Sequence, residues 1–382
     1  MSTAPTRPDA DAPTALPPGT RLFEFEITRI LGAGGFGIVY LAFDHDLERE
    51  VAVKEYMPSA LAGRTATLHV SLRSNNDSAT FELGMKSFVK EARMLAQFDH
   101  PSLLKVHRFW EANGTAYMAM PVYRGHTLRD VRATLVAPPD EAWLRSLLEP
   151  LLGALAVLHE AGVYHRDIAP DNIVLEPDGR PVLLDFGAAR RVISDKTQTL
   201  TAILKPAYAP IEQYAEAGSV RQGPWTDLYA LGATLHFMLL GRPPSPATAR
   251  AVHDDQTPLA SLALPGCSPA FLNLLDWMLA PRPSDRPQSV AALRDVMAGR
   301  APAPVRRAIA AEPQGAWDTT QIVSRTAPPP HPDTDQPTIF VPQYPEAAAP
   351  ADEAPLPTAV PADEAAAPPA PAPVAVSAPA PA

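Results

Sequence analysis

The stretch GAGGFGIVY sets Gly32, Gly34 and Gly37 at G-x-G-x-x-G spacing. Lacking Cβ atoms, such residues let backbone N–H groups come close to phosphate oxygens. Dinucleotide-binding folds use the same spacing, but there a helix follows the glycines. Here the chain continues as IVYLAFDH, whose β-branched alternation predicts a strand, so a glycine hairpin over a nucleotide fits better. Taken alone, the motif is equally an ordinary Gly-rich turn. The next segment, VAVKEY, places Lys54 inside an apolar strand pattern. A buried ammonium is costly unless it is paired. Glu91, on an amphipathic segment downstream, could pair with it while Lys54 holds phosphates. The competing reading leaves both side chains at the surface, where these types usually lie.

Two later segments, HRDIAPDN (165–172) and LLDFGAAR (183–190), complete an ordered set. With them the chain resembles the eukaryotic-type protein kinase family, in its bacterial serine/threonine branch. The resemblance runs from about Arg21 to about Gly299. It implies that Asp167 accepts the substrate hydroxyl proton, and that Lys54 and Glu91 complete the catalytic set. Asn172 and Asp185 would hold magnesium, with manganese as an alternative. ATP would lie among Gly32, Gly34, Gly37, Val39, Ala52, Lys54, Met120 and Tyr123. Val39 and Ala52 would sandwich the adenine, Met120 would gate the back of the pocket, and Pro121 to Tyr123 would form the hinge. Arg166 would be available to a phosphate on the activation segment. YAPIEQY resembles the end of that segment, with an Ile inserted before Glu212 and Arg286 as the buried partner of Glu212. Asp227 and Gly232, in TDLYALG, would brace the catalytic loop.

One position departs from the family pattern. The residue two after the catalytic Asp is normally Lys in serine/threonine kinases; here it is Ala169. Loss of one charge-assisted hydrogen bond costs about 1.5 to 3 kcal/mol, or roughly 10- to 150-fold in rate. Some tyrosine kinases also place Ala there, with Arg two residues later, but that position here is Asp171. Lys205, in LKPAYAP, is the nearest candidate for a substitute cation. The alternative is an ATP-binding pseudokinase scaffold with little transfer. The surrounding text favours serine or threonine over tyrosine as the target.

These groups need a frame. Residues from Arg21 read as short alternating strands, LFEFEITRIL, GIVYLAFDH and REVAVKEYM. Residues 57–80 read as a polar, irregular insertion that packs near the Glu91 helix. FELGMKSFVKEARMLAQF puts Phe81, Met85, Phe88, Ala92 and Leu95 on one helical face. LLKVHRFWEA and GTAYMAMPVY flank an Asn113-Gly114 hairpin signal. After about Gly125 the pattern is mostly helical: TLRDVRATL, AWLRSLLEPLLGALAVLHEAG, TDLYALGATLHFMLLG, AFLNLLDWMLA and SVAALRDVMAG. Strands followed by helices predict an α+β architecture, with a β-rich lobe over about 21–122 and an α-rich lobe over about 123–299; the resemblance implies that this is the two-lobed protein kinase fold. The Pro- and Ala-rich stretches 1–20 and 300–382 read as a disordered leader and tail.

The formal net charge is −10 and no basic block stands out, so nucleic acid is not expected as a partner. The single cysteine, Cys267, excludes an internal disulfide and a zinc cluster. No signal peptide or membrane span is expected, and a cytoplasmic protein is. Protein substrates are the partners that the resemblance implies. Thr197, Thr199 and Thr201 stand on the activation segment as autophosphorylation candidates. In the tail, WDTTQIVS and DQPTIFVP offer Thr319 and Thr338, which resemble phosphothreonine sites read by forkhead-associated domains.

Overall fold

The computed structural model describes residues 15–186, 205–214 and 221–302. Alternating, β-branched segments build its first half. Strands β1 (Arg21–Leu22), β2 (Phe25–Gly34), β3 (Gly37–Asp44) and β4 (Arg49–Tyr56) follow in succession. The chain then leaves for a small hairpin, β5 (Ala62–Arg64) and β6 (Val70–Leu72), and a helix, α1 (Ser78–Leu95). It returns as β7 (Arg108–Ala112) and β8 (Thr115–Met120). The result is a six-stranded antiparallel sheet ordered β1-β2-β3-β4-β8-β7. Asn113 and Gly114, at φ of 52° and 73°, make the tight β7–β8 turn that their sequence signalled.

Strand alternation decides what each face of β4 does. Cross-strand partners share a face, and Val39 pairs with Lys54 while Ala52 pairs with Met120. Tyr56, on the same face, packs its ring against Phe81 and Phe88 of α1 at centroid distances of 5.1 and 6.0 Å. Glu55 therefore points to the other face. There Tyr40 donates a hydrogen bond to it (2.7 Å), and Arg64 of β5 forms an ion pair with the same carboxylate. Leu16 N–H donates to the Tyr40 hydroxyl at 3.0 Å.

Three expectations change here. Residues 57–80 are not irregular throughout: they contain the β5–β6 hairpin, whose Val70 N–H donates to Asn113 O (2.8 Å). The hairpin covers the sheet face opposite α1, because an apolar face carrying a buried carboxylate needs both cover and a counter-charge. The core also includes a residue before Arg21, since Leu16 is 1% exposed and packs within it. The strand expected across LLKVHRFWEA starts only at Arg108. Leu103 and Leu104 are buried against the second half instead.

That second half is mostly helical. It opens with β9 (His126–Thr127), α2 (Leu128–Thr134) and α3 (Glu141–Glu160). A second sheet, ordered β11-β10-β9, is completed by β10 (Ile173–Leu175) and β11 (Pro181–Leu183). Helices α4 (Pro224–Leu240), α5 (Ala247–Val252), α6 (Pro269–Met278) and α7 (Val290–Met297) follow. Asp140 caps α3 through the Trp143 N–H at 2.8 Å, and a stripe of Leu144, Leu147, Leu148, Leu151, Leu152, Leu155 and Leu158 is buried along it. Helix α4 is buried on every side from Thr226 to Leu239, so it is the axis of this lobe. Leu104 N–H donates to Leu183 O (3.0 Å), and Leu183 N–H to Ser102 O (2.9 Å), which fastens the sheet-rich half to the chain approaching Asp185.

Candidate active site

Hairpin β2–β3 turns at Gly35-Phe36, with Gly34 paired to Gly37. A Cβ on Gly37 would lie 2.6 Å from Glu55 O, so the close approach of β3 to β4 admits only glycine. Lys54, next on β4, reaches across to Asp185 and forms an ion pair. Burial acts to lower the Lys54 pKa. The charges of Asp185, Glu91 and Asp167 outweigh it and hold the ammonium above its ordinary value. Among the described residues the ion pair of Lys54 is with Asp185 rather than with Glu91. Glu91 is 4% exposed and accepts the Phe186 N–H at 3.1 Å, so it fixes the segment that carries Asp185.

The catalytic-loop candidates are held from below. Asp227, fully buried on α4, accepts the His165 N–H (2.9 Å) and the Arg166 N–H (2.7 Å), and its Oδ2 also meets His159 Nε2 at 2.8 Å. Burial pushes its pKa up. The hydrogen bond and charge of His159, the charge of His165 and the Arg166 N–H more than reverse this, so the carboxyl sits below the usual range. Arg166 pays the conformational cost with φ of 66°, the left-handed region that a side chain disfavours. Gln213 donates to Arg166 O at 2.8 Å. Beside it, the Asn172 amide donates to both Asp167 O and Asp167 Oδ2 at 2.7 Å. Leu184 N–H donates to Asn172 O (2.8 Å), which sets Asn172 and Asp185 on adjacent backbone.

Ala169 is fully buried. Asp171, two residues on, is gripped by Nε and Nη2 of Arg129 and lies 3.6 Å from Lys205 Nζ. Further away, Arg286 and Glu212 pair at 2.7 Å with both side chains fully buried, and Thr226 donates to Glu212 at 2.8 Å.

Val39, Ala52, Lys54 and Met120 thus share one sheet face above the catalytic-loop candidates. Tyr123 turns its hydroxyl away to accept the Lys105 N–H (3.0 Å), so any contact from this position with a nucleotide would come from its backbone. Thr197, Thr199, Thr201, Thr319 and Thr338 lie outside the described residues. Sequence reading missed Arg129, His159 and Gln213. Each acts on a residue far along the chain, or through the backbone, and no spacing rule marks such a partner. Among the described residues no helix is long and apolar enough to cross a membrane.

A strand-rich lobe, a helical lobe and a Lys–Asp pair bridging them define the two-lobed kinase architecture. The family model described as "Protein kinase domain" matches residues 25–297. The chain is 32% identical over 288 residues to serine/threonine-protein kinase pkn2 of Myxococcus xanthus, covering 72% of this chain and 32% of that one. It is 32% identical over 298 residues to the DNA damage-responsive serine/threonine-protein kinase RqkA of Deinococcus radiodurans, covering 74% and 40%. Among solved structures it is similar to "PpkA-294 apo form", at 47% identity and a TM-score of 0.70, covering 74% of this chain and 99% of that one. The kinase domain of Mycobacterium tuberculosis PknI matches at 26% identity and a TM-score of 0.53, covering 75% and 100%. The chain belongs to the protein kinase family, in its bacterial serine/threonine branch. It spans well under half the length of the first two curated relatives.

Proposed function

We infer that this chain transfers the γ-phosphoryl group of ATP to serine or threonine hydroxyls of protein substrates. The observation that carries the reading is the convergence of Lys54, Asp185, Asn172 and Asp167 from separate elements onto one site. The donor set fits a hard divalent cation with nucleotide phosphates: Asp185 and Asn172 present oxygen donors from adjacent backbone. The Gly37 position brings backbone close to the same face. When bound, the metal–nucleotide supplies the phosphoryl group and neutralises its charge.

The residues of the chain then have separate tasks. Lys54 orients phosphate oxygens, and Asn172 and Asp185 hold the metal. Asp167, steered by the Asn172 amide, orients the incoming hydroxyl and accepts its proton. Asp227 keeps the loop in its strained shape so that Asp167 faces the substrate side. Met120, Val39 and Ala52 form the apolar floor for the base.

Autophosphorylation on Thr197, Thr199 or Thr201 belongs to this reading, with Arg166 as the receiving cation. So does recruitment of a forkhead-associated domain by phosphorylated Thr319 or Thr338, and a cytoplasmic setting. The test is transfer of label from radiolabelled ATP to a generic protein substrate and to the chain itself. Wild type should incorporate label and Asp167→Asn should not. Nucleotide binding without incorporation by wild type would overturn the proposal. Mass spectrometry of the active protein should find phosphate on one of the three activation-segment threonines. Tail peptides carrying phospho-Thr319 or phospho-Thr338 should retain a forkhead-associated domain that the plain peptides do not.

A further inference from the structure

The catalytic loop lacks the lysine its family carries two residues after the acid, and Ala169 is sealed from solvent with no charge to offer. Two cations converge on this place from elsewhere. Arg129 comes from α2 and grips Asp171 with both ends of its fork, its guanidinium also lying 5.4 Å from the Phe237 ring centroid. Lys205 comes from the chain just before the end of the activation segment, its ammonium 3.6 Å from Asp171 Oδ2. One carboxylate is thus shared between two cations beside the loop. The two are not equivalent. Arg129 is a planar fork satisfied by Asp171, whereas Lys205 is a point charge on a flexible stem with three donors. The backbone under Lys205 is fixed, because its carbonyl accepts the N–H groups of Tyr208 (2.8 Å) and Ala209 (3.0 Å), both buried. Its carboxylate contact adjoins Asn172, whose amide holds Asp167 at 2.7 Å.

We propose that Lys205 is the catalytic cation of this chain, contacting the oxygens of the transferring phosphoryl group, and that Arg129 and Asp171 form the bracket that positions it. The inference rests on the phosphotransferase reading above. In the step it serves, the substrate oxygen forms a bond to the γ-phosphorus as the bridging oxygen–phosphorus bond breaks. The electron pair of that bond leaves with ADP, and the hydroxyl proton passes to Asp167. Lys205 exchanges no proton; it offsets charge on the phosphoryl oxygens. Arg129 and Asp171 are positioning residues, since they act only through Lys205.

An acyl-phosphate derivative of ATP, which acylates lysines lying against its phosphates, reads this contact without any turnover. Mass spectrometry should find both Lys54 and Lys205 labelled in the full chain, and excess ATP should protect both. In the transfer assay Lys205→Ala should lower kcat by about 10- to 150-fold, the value of one charge-assisted hydrogen bond, with KM for ATP little changed. Adding Ala169→Lys to that variant should restore most of the rate, which a structural role for Lys205 would not permit. Lys205→Arg should fold equally well and recover only part of the activity. Labelling of Lys54 alone, turnover of Lys205→Ala within twofold of wild type, or a loss that Ala169→Lys does not reverse would each overturn the proposal while leaving the kinase reading standing. If neither lysine is labelled and wild type transfers nothing, the kinase reading itself fails and this inference goes with it.

Discussion

The Asp227 carboxylate does at residue scale what no residue of the catalytic loop can do for itself. It accepts two consecutive backbone N–H groups, those of His165 and Arg166, while Arg166 occupies a left-handed conformation at φ of 66°. Such a conformation costs on the order of 1–3 kcal/mol and persists only where the surroundings over-determine it. Replacing Asp227 by Asn turns one of its acceptor oxygens into a donor facing an N–H. The loop should relax and shift Asp167, and misplacement by about 1 Å costs on the order of 100-fold in rate. A steady-state assay of Asp227→Asn should show that loss in kcat with an unchanged far-ultraviolet circular dichroism spectrum. A variant with wild-type kcat would show that the loop holds its shape without this carboxylate.

Two elements carry predictions of their own. The β5–β6 hairpin is pinned by Arg64 to Glu55, and both side chains are almost wholly out of solvent. Removing one partner of a buried pair strands the other charge and costs about 3–5 kcal/mol. Arg64→Ala should therefore lower the urea midpoint sharply, and Glu55→Gln in the same chain should recover part of the loss. Helix α4 contributes a pH dependence. His236 is 1% exposed on it, with Nδ1 meeting Arg242 O at 3.1 Å and Nε2 meeting the Gln256 amide nitrogen at 3.0 Å. The neutral ring satisfies both contacts, donating to the carbonyl and accepting from the amide. Burial pushes its pKa down to about 4 from an ordinary 6.5. Between those values the unfolded chain binds the proton and the folded one does not, so stability falls as pH drops from about 6.5 to about 4 and then levels off. The loss amounts to about 3 kcal/mol at most. Thermal melts of wild type across this range should fall more steeply than those of His236→Gln.

At the scale of the whole molecule, distant segments are locked by a few close contacts. Arg286, near the end of the helical lobe, donates to Glu212 at the end of the activation segment (2.7 Å), and also to Ala280 O and Pro281 O at 2.7 Å. Helices α4 and α6 approach so closely that a Cβ on Gly232 would lie 2.8 Å from Met278 Cβ. Gly232→Val should force them apart at a cost of about 1–3 kcal/mol. Because the catalytic loop hangs from the same helix through Asp227, kcat should fall along with the melting temperature. An unchanged kcat in a destabilised Gly232→Val would separate helix packing from loop placement.

The order of a strand-rich half before a helical one, the glycine hairpin and the Asn113-Gly114 turn were legible in the sequence, because local periodicity and turn chemistry determine them; the family resemblance singled out Lys54, Glu91, Asp167, Asn172 and Asp185 as candidates. The sequence by itself also showed that Ala169 removes a charge. Only the tertiary structure decided where partners come from. Lys54 meets Asp185 while Glu91 takes the Phe186 N–H. Arg129 reaches Asp171 from 42 residues away, and Lys205 joins them. Leu16 and the β5–β6 hairpin cover the sheet face that carries Tyr40 and Glu55. Hydrophobic pattern is a local property of the chain. The pairing of a buried charge is settled by whichever counter-charge packing brings within reach, and that depends on the whole fold.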